Sequence, residues 1–364
     1  MQQTRRELLA LLTGLAAARK LEAAAGRKLG IPGPFPGRVI ELHHPGSLVS
    51  GAYQPAAIKQ MMHKGMLGLT GAPGWVDAWR VFFEPGDVVA IKQSPVGGRD
   101  LCSDASVLNL IIDGLKQAGV ATRDIVVYER YRREFFGARY HQWLPEGVRF
   151  SWAAEHYETW QLGMNGYDRD VFVDLPLVKP GDDPDDPHVR KSHVALCITK
   201  QVNKVVNVAT LKHHQSAGVT LALKNMSHGM VNNVNRSHIS RDLNACDIFI
   251  PAVVDLPVIR QKVVLHVLDG IKAGYNGGPG TPARYRYENH TMYFATDPVA
   301  LDKTGWRAIE EKRKSVGLPP VNQVFKNDPD NYYNGQVEHI EMASRLGLGV
   351  YEDDKINLQR FSLT

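Results

Sequence analysis

Lys212, His213 and His214 stand together at the end of an apolar run, and Lys224, Asn225 and His228 follow shortly after. Ammonium groups neutralise and orient anions, neutral imidazoles move protons or ligate metals, and a carboxamide fixes a ligand by hydrogen bonds. Brought into one concavity, these side chains suit a carboxylate, a phosphate or an imidazole-held metal. The elements that must position them are legible nearby. Val205, Val206, Val208 and Leu211 predict a short buried strand, so Lys-His-His falls at its carboxyl end, where open α/β sheets collect ligands. After Gly218 the period changes. Val219, Ala222, Leu223, Met226 and Met230 form one helical stripe, and Thr220, Lys224, Ser227 and His228 another, with Lys224 and His228 one turn apart.

His213, His214, Lys212 and Lys224 are therefore the candidate catalytic residues. Asn225 is a candidate substrate contact, joined by Lys92 at the end of the strand 88–92 and by Gly277 and Gly278, whose loop amides can approach a ligand closely. His213, His228, Asp269, Asp297 and Asp302 are candidate metal ligands, and the three aspartates can instead orient the histidines. Each has a structural alternative: Asp297 precedes Pro298 and can cap a helix, and the lysines and histidines can be surface groups on an amphipathic helix. Adjacent histidines on a strand point in different directions, so at most one of His213 and His214 is expected to ligate.

The segment L-K-H-H-Q-S-A-G-V-T-L-A-L-K-N at 211–225 resembles the signature of the domain of unknown function 362 family, in which a lysine, a histidine, a G-x-T turn and a terminal K-N recur. V-L-D-G-I-K-A-G-Y-N-G-G-P at 267–279, F-A-T-D-P-V-A-L-D at 294–302 and A-S-R-L-G-L-G at 343–349 fit the same family. The resemblance covers most of the chain after the first 80 residues and implies a fold, but no activity. Relatives are sometimes joined to ferredoxin-like modules, which implies an iron-sulfur redox partner, although this chain lacks those cysteines. The loop-and-helix pattern of histidines and lysines is also similar in style to the nickel-pincer lactate racemase family, where histidine does acid/base work beside a metal cofactor.

With 364 residues, 43% hydrophobic and 22% charged, the chain is long enough for one large α/β domain or two smaller ones. A net charge of +5 without a basic block interleaved with aromatics gives nucleic-acid binding no support. Thr4-Arg5-Arg6, the apolar run 8–18 and Ala23-Ala24-Ala25 resemble a twin-arginine export signal over 1–25, implying a periplasmic or exported protein. The alternative is an amphipathic N-terminal helix on a cytoplasmic protein. No segment qualifies as an integral membrane span. Cys102, Cys197 and Cys246 are too dispersed for a cluster or disulfide framework, with Cys102 placed where a helix start would stabilise a thiolate.

The expected architecture is α/β and Rossmann-like, a mostly parallel sheet with helices on both faces. Residues 26–37, rich in glycine and proline, read as a linker, and 38–364 as the domain. The βαβ unit over 86–129 is the clearest element, and its loop lacks the glycine patterns of dinucleotide or nucleoside-triphosphate sites. Residues 131–166 form an aromatic-rich insert, 247–254 and 263–268 read as strands, and the aspartates of 182–188 as a solvated loop. Two functions fit these residues: an enzyme on a small anionic organic substrate, a lyase, isomerase or oxidoreductase with or without a divalent or transition metal, or an exported metal- or ligand-binding protein. A redox accessory protein is a third reading, with no iron-sulfur, NAD or ATP motif in its favour.

Overall fold

The computed structural model describes residues 29–158, 160–238, 244–323 and 335–364. The twin-arginine-like segment lies outside the described residues. Alternation of buried side chains builds the centre of the fold: Val39 and Ala90 enter one core while Ile40, Leu42, Val89 and Ile91 enter the other, so one sheet has apolar groups on both faces.

In chain order the main elements are β1 (Arg38–His43), α1 (Pro55–Thr70), β2 (Val89–Lys92), α2 (Ala105–Ala118), β3 (Ile125–Tyr131), α3 (Arg132–Gly137), β4 (Arg149–Ala154), β5 (Lys204–His214) and β6 (Gly218–Val219). There follow α4 (Leu221–Met230), α5 (Cys246–Val254), β7 (Val263–Gly274), β8 (Arg286–Ala295), α6 (Pro298–Ser315), α7 (His339–Arg345) and β9 (Asn357–Ser362). The sheet runs β9-β1-β8-β7-β5-β2-β3-β4, with β6 folded back on β5. Strands β7, β5, β2, β3 and β4 are mutually parallel and β8 is antiparallel to both its neighbours. Helices α1 and α2 cover one face, and α4, α5, α6 and α7 the other. The mostly parallel α/β architecture expected from the sequence is the one observed.

Two expectations need correction. The stretch 247–254 is the helix α5, buried on every side; a continuous apolar run carries no period that separates a helix from a strand. The glycine- and proline-rich stretch is no free linker over its described part: Ile31 is in the core and Gly37 donates its amide to Asp297 Oδ2 at 2.8 Å. The aromatic-rich stretch is present as expected, and its strand β4 completes the sheet edge beside β3, with Phe135, Phe150 and Trp152 packed together at that edge.

Candidate active site

Because β2, β3 and β5 are parallel, their carboxyl ends meet at one edge of the sheet, and each carries ionisable groups there: Lys92 on β2, Glu129 and Arg130 on β3, Lys212 and His214 on β5. Helix α4 adds Lys224, Asn225 and His228, and α3 adds Glu134. These side chains line one cavity of about 450 Å³. The sequence-predicted Lys92, Lys212, His214, Lys224, Asn225 and His228 are thus brought together.

His213 is not among them. Side chains alternate across a strand, so while Lys212 and His214 reach the cavity, His213 points away. Its Nδ1 accepts from the Gly278 amide at 3.2 Å, and its Nε2 is buried without a partner among the described residues. Gly277 and Gly278 belong to this packing and not to ligand binding: a Cβ on Gly278 would stand 1.6 Å from the His213 carbonyl oxygen. From that loop, Pro279 lines the cavity.

The cations differ in what holds them. Lys92 Nζ donates to Glu129 Oε2 at 2.9 Å, to Asn225 Oδ1 at 3.0 Å and to the Gln93 carbonyl, which uses all three ammonium protons. Asn225 donates in turn to Asn207 Oδ1 at 2.7 Å and to the Val208 carbonyl. Neither Lys92 nor Asn225 is therefore open to a substrate; both brace the wall. Arg130 donates to Tyr167 Oη, the His228 carbonyl and Gln161 Oε1, and no carboxylate among the described residues pairs with it. Lys212 donates to the Val96 carbonyl. Lys224, 7% exposed, has no hydrogen-bond acceptor for its ammonium among the described residues. Burial pushes both lysines down to about 8.

The imidazoles are held neutral. His214 Nδ1 accepts from the amides of Ser216 and Ala217 at 3.1 and 3.2 Å, so its proton sits on Nε2. Burial, reinforced by Lys224, keeps it well below the ordinary histidine range. It therefore presents an N–H donor to the cavity. His228 lies between the hydroxyls of Ser227 and Ser237 at 3.0 and 3.1 Å, with His238 edge-on at 4.9 Å. Glu134 supplies the titratable group. Burial and the neighbouring Glu129 raise its carboxyl to about 7, and Oε2 has no partner among the described residues.

The five candidate metal ligands are dispersed. Asp297 accepts the amides of Gly37, Val299, Ala300 and Val350, the capping role open to it in sequence. Asp302 accepts the amides of Ala222 and Leu223 at 2.8 and 2.9 Å and fixes the start of α4. Asp269 accepts from Tyr53 Oη and the Ile271 amide, outside the cavity. Only His228 of the five faces the cavity, and no group of three ligating side chains is assembled among the described residues. Cys102 is likewise no activated thiolate, because burial raises its thiol. The residues missed in sequence, Glu129, Arg130 and Glu134, lie in Y-E-R-Y-R-R-E at the carboxyl end of the βαβ unit, the same kind of strand end that marks Lys92 as a candidate.

No curated protein matches the chain. Among solved structures, the lactate racemase apoprotein from Thermoanaerobacterium thermosaccharolyticum is similar at 11% identity and a TM-score of 0.36, over 73% of this chain and 55% of that one. The chain therefore spans about half the length of that protein. The family model described as Domain of unknown function (DUF362) matches residues 106–307, more than half of the sequence, and the chain belongs to that family.

Proposed function

We propose that the chain is an enzyme that transfers protons to and from a small anionic organic molecule. The observation that carries this reading is an imbalance of charge beside a tuned acid: among the described residues Lys92, Arg130, Lys212 and Lys224 face one cavity against Glu129 and Glu134, and burial beside Glu129 raises the Glu134 carboxyl to about 7. An anion supplies the missing counter-charge. Lys212 and Arg130 hold it, Glu134 takes or returns the proton, and the Nε2–H of His214 donates to oxygen on which charge develops. The cavity volume suits a metabolite-sized guest.

The test is exchange of carbon-bound protons next to a carboxylate or its neighbouring carbonyl, followed by NMR in deuterated water for glycolate, lactate and pyruvate. Exchange is expected with at least one of them, and Glu134→Gln is expected to slow it by roughly 100-fold or more. Exchange that Glu134→Gln leaves untouched would remove the carboxyl from the chemistry; anion binding without exchange would favour a binding protein. The arginine pair and apolar run at the start of the sequence support export by the twin-arginine route.

A further inference from the structure

Among the cavity's ammonium groups, Lys224 stands apart. Lys92 is spent on Glu129, Asn225 and the Gln93 carbonyl, and Lys212 donates to the Val96 carbonyl, whereas Lys224 faces the cavity with no acceptor among the described residues. An amine in that setting, desolvated and flanked by other cations, is the recognised arrangement for a lysine nucleophile. We infer that Lys224 forms an imine with the carbonyl carbon of a 2-oxo carboxylate. The inference rests on the anion-site reading above and names its substrate class.

The step balances without an oxidant. The Lys224 Nζ lone pair attacks the carbonyl carbon, a C–N bond forms, and the C=O pair moves to oxygen, which His214 Nε2–H stabilises. Glu134 relays the two amine protons to that oxygen, which leaves as water, and the nitrogen pair closes the C=N bond. Lys212 and Arg130 hold the carboxylate meanwhile. Burial sets Lys224 at about 8, so a useful fraction is the free amine near neutral pH.

Borohydride trapping tests this. The full chain is incubated with glyoxylate, pyruvate or 2-oxobutyrate, reduced, and weighed intact, then mapped by peptide. The expected product is heavier by the mass of the acid less one oxygen, with the modification on Lys224, lost in Lys224→Arg and kept in Lys355→Arg, a surface lysine outside the cavity. In parallel, oxalate binding is measured by calorimetry on the unmodified protein and on Lys224→Arg, which keeps the cation. Oxalate binding with no adduct from any of the three acids, or with adducts on Lys212 or scattered over surface lysines, overturns the imine and leaves the anion site standing. Absence of both binding and adduct overturns both.

Discussion

The buried ammonium of Lys224 is a cost to the ligand-free protein, and the sign of that cost can be worked out. Its folded-state value is about 8 against an ordinary 10.5, so between those two pH values the unfolded chain holds a proton that the folded chain does not. Stability contributed by this residue therefore rises as pH increases from about 8 to 10.5, and the full penalty is felt below 8. Lys224→Met is expected to stabilise the ligand-free protein at pH 7 by on the order of 1–3 kcal/mol, since each pH unit separating the folded and unfolded values corresponds to about 1.4 kcal/mol. The gain should fade toward pH 10.5, as read by chemical denaturation across pH. A variant that is less stable at pH 7 would mean that the ammonium has a partner worth more than its desolvation.

At the scale of elements, α4 is held in place from a distance. Asp302 on α6 receives the first amides of α4, and the buried chain Lys92–Asn225–Asn207 ties the middle of that helix to the sheet. Asp302→Ala leaves two buried amides without acceptors, and a loss of about 2–4 kcal/mol is expected in a denaturation experiment. Oxalate affinity should fall with it, because Lys224 sits one turn into the helix. The strand, the helix and their shared crevice were legible in sequence because their periods are clean. What was not legible follows from the same physics. Strand alternation separates His213 from its neighbours only once the pairing is known. The role of Asp302 depends on a contact across 80 positions of chain. Glu134 gains its character from burial beside Glu129, which no local pattern encodes. The run at α5 misled because an apolar stretch buried all round looks alike in either conformation.

For the whole molecule, the fold begins earlier than its composition suggests: Ile31 packs in the core, so an export signal would have to lie upstream of it. If the start directs export, the double change Arg5→Lys and Arg6→Lys should hold the protein in the cytoplasm, and fractionation with immunoblotting would show it. Equal periplasmic amounts for the two forms would assign the arginines to an amphipathic helix instead. No helix among the described residues is long and apolar enough to cross a membrane.

Asn207 on β5 lies opposite His266 on β7, and the two side chains meet at 3.1 Å in the buried middle of the sheet, with the pair Thr210 and Asp269 further along the same strands. The Asn207–His266 rung works as a key in a slot. If β5 slid by one residue, every side chain along it would change sides. His213 would then look into the crevice and Lys212 and His214 into the glycine loop, so a pair of residues that never meets the guest decides which charges greet it.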